Sequence, residues 1–317
     1  MTFSHTSNES GNDEGKTEDV HVEDAEVGDD DTPKSVSDIQ EHRRQLMSKV
    51  CREYSHIVNR KPRALFDMYS DDQMDYVYCH VGKAACTSWR RTLLMLTGKI
   101  SEFQRPEQLP GDVVLKRIKS HYIKPLVKVS PAYREWRFKD NRYFTFMFVR
   151  EPLERLLSAY RDKVVEDPEY KNLDIQIVRQ YRPPASVRRY NVTFAEFVRY
   201  VLDEHAAGHF LDGHWMPQNE LCRVCQLRWD FIGHHETLHE DADYVVSKLK
   251  SRIMDVEQRR RVANITFPAD SGHPKSSDFL QRMYANVPAA HIKALYQMYA
   301  DDYALFGFKH PNITGFT

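Results

Sequence analysis

The chain has 317 residues, with 45 Lys and Arg against 46 Asp and Glu, so its formal net charge is -1. A chain of this length buries a large core, and a whole-molecule charge near zero gives no field that would attract nucleic acid. No apolar run is long enough to cross a bilayer, and the N-terminus has no signal-peptide core.

The N-terminal segment is acidic and almost free of large apolar side chains, most clearly over residues 9–31. Such a segment cannot offset the entropy of ordering by burial. The composition therefore predicts a disordered acidic tail over residues 1–36 and a single domain over residues 37–317.

Apolar runs and helical periodicities alternate along the predicted domain. They predict a helix over residues 37–54 that Ser37 and Gln40 cap, and a capping box of Thr237 and Glu240 before a later helix. The other predicted elements are strands over 76–81, 143–149 and 229–233, and helices over 88–97, from 152, over 193–202, 242–249 and 289–305. This alternation predicts an α/β fold with a mainly parallel central sheet flanked by helices.

The five cysteines are an odd number, so at least one is free or bridges to another chain. Cys222 and Cys225 are close enough in sequence for a local disulfide, although two buried thiols explain them equally well. Acceptor triplets for N-glycosylation occur at Asn8, Asn191, Asn264 and Asn312.

Two segments each consist of an apolar strand, a turn with a cation and a helix. In the first, Gly82 and Lys83 follow the strand, and Thr87 and Ser88 open the helix. Backbone N–H groups at such a turn attract anions, and the lysine adds a charge, although a solvated lysine in an ordinary loop is the alternative. The triphosphatase P-loop pattern fits poorly, because no Ser or Thr follows Lys83 directly.

In the second segment, Arg150 ends a predicted buried strand and Ser158 lies on the polar face of the following helix. An arginine together with a hydroxyl can bind a terminal phosphate through charge-assisted hydrogen bonds. The alternative is a structural ion pair of Arg150 with Glu151 or Glu154. A ligand with phosphates at both ends would need both segments.

These segments, with His214-Trp215-Met216-Pro217, Leu221-Cys222-Arg223-Val224-Cys225 and Asp230-Phe231-Ile232-Gly233, resemble the Golgi carbohydrate sulfotransferases. The similarity is greatest to the branch that acts on O-4 of N-acetylgalactosamine in chondroitin and dermatan. It extends from about residue 43 to the Phe306-Gly307-Phe308 terminus, and residues 150–161 are its most specific part.

The resemblance implies a single P-loop-like sulfotransferase domain that uses 3′-phosphoadenosine 5′-phosphosulfate as donor and no metal. It implies that Arg150 and Ser158 bind the 3′-phosphate, and that Lys83 stabilises the negative charge that develops on the leaving phosphate. The loop that would hold the 5′-phosphosulfate consists of Gly82, Lys83, Ala84, Ala85, Cys86, Thr87, Ser88 and Trp89. Here Gly82 replaces the proline usual in relatives, and His80 and Ala84 are also atypical.

The resemblance further implies an acidic glycan acceptor and a type II membrane protein of the Golgi lumen, although this sequence contains no anchor.

His214 is the candidate catalytic base, since the unperturbed pKa of histidine lies near working pH. The alternative is that His214 has only a structural role, and His80 is the second candidate base. Basic residues that could contact an acidic glycan are Lys116, Arg117, Lys119, Lys124, Lys128, Arg182, Arg188 and Arg189.

Three alternatives remain from sequence. Cys222, Cys225, His234 and His239 roughly imitate a zinc ligand set. The chain could also be a catalytically inactive relative that binds a nucleotide or a glycan. His80 and Gly82 favour this alternative because they differ from the residues usual in the family. A kinase-like phosphotransferase lacks a recognisable metal-binding aspartate.

Overall fold

A computed structural model of the chain describes residues 35–60, 67–119, 122–184, 191–268, 277–311 and 313. The predicted acidic tail lies outside the described residues except for Ser35 and Val36, which begin the first helix.

Strands and helices alternate along the described chain. The strands are β1 Met68–Asp71, β2 Tyr76–Cys79, β3 Lys124–Pro125, β4 Phe144–Val149 and β5 Phe231–His234. The first helices are α1 Val36–Glu53, α2 Ser55–Val58, α3 Cys86–Leu96, α4 Gly111–Lys119, α5 Pro131–Lys139, α6 Pro152–Ala159 and α7 Lys171–Tyr181. The later helices are α8 Phe194–Ala206, α9 Gln218–Cys222, α10 Leu238–Ser251, α11 Val256–Arg261, α12 Ser277–Tyr284, α13 Ala289–Met298 and α14 Ala300–Phe306.

The five strands form one sheet in the order β3-β1-β2-β4-β5. The α/β class is confirmed, but the sheet is mixed, because β2, β4 and β5 are parallel whereas β1 pairs antiparallel with β2 and β3. The reason is the short turn between β1 and β2, in which Asp71 Oδ1 accepts the N–H groups of Gln73 and Met74. A hairpin turn can join only antiparallel strands, and this one was missed from sequence.

The core lies around β4, whose six residues are all buried. Trp89 of α3 packs on this strand, with ring centroids 5.2 Å from Phe146 and 4.7 Å from Phe148. The continuous apolar run in β4 thus reflects cover on both faces of the sheet, as expected of a central parallel strand.

Helix α1 lies along the edge strand β5. Ser35 and Asp38 form its capping box, two residues before the predicted cap of Ser37 and Gln40. Gln40, the predicted capping partner, is buried, accepts the N–H of Ile232 at 2.8 Å and donates to its carbonyl at 3.0 Å. The side-chain amide therefore takes the place of a neighbouring strand and closes the edge of the sheet.

The second predicted capping box, of Thr237 and Glu240, is wrong. The Thr237 hydroxyl donates to Asp241 at 2.6 Å, and its side chain caps no N–H of α10. Asp241 also accepts from Arg43 of α1 at 2.8 Å. Tertiary contacts with α1 therefore decide how α10 begins.

Two long-range disulfides form, so neither the local Cys222–Cys225 bond nor the buried thiols that the sequence left open occurs. Cys51 bonds to Cys225 and Cys79 to Cys222, across 174 and 143 residues, while Cys86 is free. By the chain-entropy account, a disulfide that closes a loop of this size stabilises the fold by roughly 5 kcal/mol.

The predicted helix over 289–305 is interrupted at Tyr299, where α13 ends and α14 starts. In α14, buried Asp302 accepts the N–H groups of Gln218 and Asn219 at 2.7 and 2.8 Å. The start of α9 is thus held by an acidic side chain from the other end of the chain.

The buried side chain of Glu151 predicts a pH dependence of stability. Glu151 caps α6 through the N–H groups of Leu153 and Glu154 and accepts from the Tyr303 hydroxyl. Burial nevertheless raises the pKa of Glu151 to about 7, from an ordinary value of 4.5. Between these pH values the folded state binds the extra proton, so this group's contribution to the free energy of unfolding is lost as pH rises from about 4.5 to 7.

We expect Glu151→Gln to remove a pH-dependent loss of roughly 3 kcal/mol, which chemical unfolding at pH 5 and pH 8 would measure. The exposed Glu135→Gln is the matched control and should leave the pH dependence unchanged. Equal pH dependence of wild type and Glu151→Gln would contradict the assignment.

Candidate active site

The loop between β2 and α3 has the backbone form of an anion site. Lys83 and Ala85 have φ angles of 69° and 59°, which non-glycine residues rarely adopt. Helix α3 begins at Cys86, two residues earlier than predicted, and its N-cap Ala85 supplies no side-chain cap. The first N–H groups of α3 therefore lack a side-chain cap, and the helix end favours a negative group there.

Arg155 of α6 fixes this loop to the loop of residues 212–217. Its guanidinium is buried and donates to the carbonyls of Gly82 at 2.8 Å, Gly213 at 2.7 Å and Met216 at 2.7 Å. Three hydrogen bonds from one rigid, planar group fix the distance between the two loops.

Gly82 packs against His214. A Cβ atom at Gly82 would lie 3.0 Å from Cδ2 and 3.3 Å from Cα of His214. The absence of a side chain here lets the loop approach the histidine closely, which accounts for glycine at a position where the resemblance leads one to expect proline.

Lys83 and Arg150 lie close to each other beside α6, the helix that carries Ser158. Lys83 Nζ lies 3.1 Å from the Asp162 carboxylate, and Arg150 pairs with Glu154 at 3.2 Å. The Arg150 guanidinium also approaches the Lys83 carbonyl at 3.5 Å. Glu154, Ser158 and Asp162 follow at four-residue spacing, so they share one side of the helical segment.

Both candidate cations therefore have carboxylate partners in this structure. Burial raises the pKa of Asp162, but Lys83 and Lys163 outweigh it and lower that pKa below its ordinary value. A phosphate that binds Lys83 or Arg150 would take the place of a carboxylate that already has a similar geometry.

The remaining predicted loop residues differ in exposure. Cys86 and Ser88 are partly exposed and Thr87 is exposed, whereas Ala84 and Trp89 are buried. The Trp89 ring packs among Phe146, Phe148 and Phe267, so this side chain supports the loop from the core and does not line it.

His214 is oriented by two neighbours that the sequence analysis missed. Its Nδ1 lies 2.6 Å from Asp212 Oδ1, and the Tyr170 hydroxyl donates to Asp212 Oδ2 at 2.9 Å. Burial raises the pKa of Asp212, but its hydrogen bonds with His214 and Tyr170 contribute to a net lowering. Nδ1 is thereby engaged, while Nε2 has no hydrogen-bond partner among the described residues.

His80, the second candidate base, lies deeper. Its side chain is 12% exposed, against 27% for His214, and its buried Nε2 has no partner among the described side chains and backbone groups. Burial raises the pKa of the neighbouring Cys86 thiol, but His80 and Arg90 lower it to about 5 overall. Asp67 lies near both histidines, and burial raises its pKa despite their opposing influence.

Two further sequence predictions change. Cys222 and Cys225 are in disulfide bonds, so the proposed zinc set loses its thiolates. Of the predicted glycan-binding cations, Arg117, Lys124 and Arg182 pair with acidic side chains. Arg188, Arg189 and the side chain of Lys119 lie outside the described residues.

The profile of the sulfotransferase family matches residues 66–309, most of the chain. The chain belongs to this family. Among curated sulfotransferases, it is 35% identical over 262 residues to carbohydrate sulfotransferase 14 of Mus musculus and 34% identical over 262 residues to that of Homo sapiens. Each alignment covers 81% of this chain, which spans 64% of each of these relatives.

Carbohydrate sulfotransferase 11 of Rattus norvegicus is 29% identical over 287 residues, which cover 86% of this chain and 77% of the relative. No solved structure matches the chain. Within the described residues, none of the helices is both long and apolar enough to span a membrane.

The contacts of Arg155 predict a large cost for Arg155→Lys. An ammonium cannot reach three carbonyls in fork geometry, and a buried charge with unsatisfied partners is destabilising. We expect the free energy of unfolding, measured in urea, to fall by about 2–4 kcal/mol. Arg142→Lys at a half-exposed position is the control and should change it by less than about 1 kcal/mol. A similar small effect for both variants would show that Arg155 does not join the loops.

Proposed function

We propose that the protein is a carbohydrate sulfotransferase that uses 3′-phosphoadenosine 5′-phosphosulfate as donor and a hydroxyl of an acidic glycan as acceptor. One observation carries the proposal: Arg155 holds the Lys83 loop and the His214 loop together, with 2.7–2.8 Å bonds to each. This contact supports the proposal that the Lys83 loop binds the donor phosphate beside the candidate base His214.

The donor would supply the sulfuryl group and a phosphate as leaving group. The uncapped N-terminus of α3 and the Lys83 ammonium would bind the 5′ end and stabilise the charge that develops when the sulfur–oxygen bond breaks. Arg150 and Ser158 would bind the 3′-phosphate, with Arg150 leaving Glu154 to do so.

The acceptor hydroxyl would attack sulfur in line and pass its proton to Nε2 of His214. Asp212 holds Nδ1 of the same ring at 2.6 Å, which orients the imidazole and stabilises its protonated form. His214 is a better candidate than His80 because it is more exposed and because Gly82 places it against the donor loop.

The names of the relatives support a carbohydrate acceptor. The sequence resemblance supports O-4 of N-acetylgalactosamine in chondroitin or dermatan as the hydroxyl that is sulfated. The same resemblance supports action in the Golgi lumen. N-glycosylation at Asn191 is also part of the proposal, since this residue is exposed three residues before α8 begins.

A catalytically inactive relative that binds the nucleotide is the second candidate function. It is favoured by the pairing of Lys83 with Asp162 and of Arg150 with Glu154, because each ion pair competes with a phosphate. Transfer of labelled sulfate from the donor to desulfated chondroitin would distinguish the two functions.

The donor site predicts the effect of Lys83→Ala and Arg150→Ala. Each removes one charge-assisted contact, so affinity for adenosine 3′,5′-bisphosphate should fall about 10–100-fold, measured by calorimetry. Lys139→Ala, at an exposed position on α5, is the control and should leave the affinity unchanged. Unaltered nucleotide affinity in both site variants would remove these residues from the donor site.

The geometry around His214 predicts that His214→Gln lowers kcat by about 10²–10⁴-fold, because the variant cannot take the proton. Affinity for adenosine 3′,5′-bisphosphate should stay within a factor of about two of wild type, since the side chain is not assigned to the donor. Turnover should be compared with that of His209→Gln, an exposed control that pairs with Glu204. Retained turnover in His214→Gln would exclude it as the base.

A further inference from the structure

One carboxylate oxygen of Asp162 lies between the ammonium groups of two lysines. Asp162 Oδ2 is 3.1 Å from Nζ of Lys83 and 3.5 Å from Nζ of Lys163. No other cation pairs with Asp162 in the parts of the chain that the structure describes. Asp162 is therefore shared between a lysine of the proposed donor site and a second lysine that has no role in the proposed transfer.

The backbone around Asp162 and Lys163 is unusual. Both residues belong to a π-helix, Tyr160–Glu166, which directly continues α6. The hydrogen bonds of a π-helix run from residue i to residue i+5, and such segments are rare but frequent at functional sites. Here the π-helix carries Asp162 to Lys83 and keeps the ammonium group of Lys163 within reach of the same oxygen. The local backbone thus presents a carboxylate and a cation together at the edge of the proposed donor site.

Lys163 is held in place by two further contacts. Its Nζ lies 2.7 Å from Asp167 Oδ2 and 5.2 Å from the centre of the Tyr170 ring. Asp167 is fixed in turn, because its other oxygen accepts the N–H of Glu169 at 3.0 Å. Tyr170 is fixed by its hydrogen bond to Asp212 at 2.9 Å. The ammonium group of Lys163 therefore has a defined position in the site.

Lys163 has the charge and the hydrogen-bonding capacity to hold two carboxylates. Burial lowers the pKa of Lys163, but its contacts with Asp167 and Asp162 raise that pKa overall, so the side chain is an ammonium ion at neutral pH. An ammonium group has three N–H donors, so a bond to Asp167 leaves others for Asp162. Lys163 can thus bind Asp162 without releasing Asp167.

A donor bound at Lys83 would meet the negative charge of Asp162. The 5′-phosphosulfate is anionic, and like charges in contact repel more strongly in a partly buried site than in bulk water. Asp162 must therefore leave Lys83 when the donor binds. Its Oδ2 atom is already 3.5 Å from Nζ of Lys163, so a small rotation of the side chain brings the two groups into direct contact.

We propose that Lys163 is a positioning residue that takes Asp162 from Lys83 when the donor binds. Asp162 neutralises Lys83 in the free protein and Lys163 in the complex, so Asp162 has a cationic partner in both states. The inference rests on the proposed function, since it requires that Lys83 binds the donor. A ligand shifts such an equilibrium by the difference between its affinities for the two arrangements, and the contact of the donor with Lys83 supplies that difference.

The experiment is a double-mutant cycle on Asp162 and Lys163, in which calorimetry measures affinity for adenosine 3′,5′-bisphosphate. Lys163→Met should weaken the affinity about tenfold, because Asp162 then keeps Lys83 as its partner. Asp162→Asn should strengthen it about threefold to tenfold, because the competing charge is gone. Adding Lys163→Met to Asp162→Asn should change the affinity by no more than a factor of about two.

Control variants separate positioning from a purely structural role. Lys163→Arg keeps the positive charge and should bind the nucleotide within a factor of about three of wild type. Lys139→Met, at an exposed lysine that pairs with Glu135 on α5, should match wild type. Urea unfolding of each variant checks that the affinities are those of folded protein, and Lys163→Gln takes the place of Lys163→Met in the cycle if the latter does not fold.

Two results would overturn the inference. If Lys163→Met weakens binding equally in wild type and in Asp162→Asn, Lys163 contacts the nucleotide directly and does not act through Asp162. If the affinity is unchanged in Lys163→Met or in Asp162→Asn, Asp162 does not compete with the nucleotide for Lys83.

Nucleotide binding without turnover separates this inference from the proposed function. If the two substitutions are coupled as expected but wild type transfers no sulfate, the exchange of Asp162 stands and the transferase proposal fails. If wild type transfers sulfate and the two substitutions are additive, the exchange fails alone. If wild type does not bind the nucleotide, Lys83 is not a donor-binding residue and both fail.

Discussion

The arrangement of the candidate site depends on one buried guanidinium. Arg155 projects from α6 and donates to carbonyls on both sides of the site, at Gly82 and at Gly213 and Met216. These carbonyls belong to loops, which have no regular ladder of backbone hydrogen bonds to hold them. A single rigid group that contacts both loops fixes their relative position.

The same helix also carries acidic partners for the candidate donor-binding cations. Glu154 pairs with Arg150, and Asp162, in the helical turns that continue α6, pairs with Lys83. The cations are thereby kept extended and in place, because an unpaired, partly buried charge would be costly. Each cation already faces an anionic oxygen at about 3 Å, so the geometry of the site suits an anionic ligand that takes over the cation from the carboxylate.

Much of the site and fold was predictable from local sequence patterns. The apolar run of β4, the glycine and lysine after β2 and the arginine after β4 all lie where the patterns placed them. Most of the misses have tertiary causes. Asp212 lies only two residues before His214 and offered a local signal, whereas Asp162 and Arg155 could not be assigned to Lys83 and Gly82 without the fold.

The disulfides show the same limit. Spacing made a Cys222–Cys225 bond plausible, but each cysteine bonds to a partner more than 140 residues away. Likewise, Gln40 matched a capping residue by spacing, yet its amide closes the edge of β5.

The sequence by itself determined the alternation of strands and helices, the two segments in which a cation follows a strand, and the family to which the chain belongs. These depend on neighbouring residues, on hydrophobic periodicity and on the chemistry of particular side chains. Only the tertiary structure decided which cysteines pair and which carboxylate meets each cation. Such pairings join residues far apart in the chain, and they form because packing brings their side chains within a few ångströms, which local patterns do not encode.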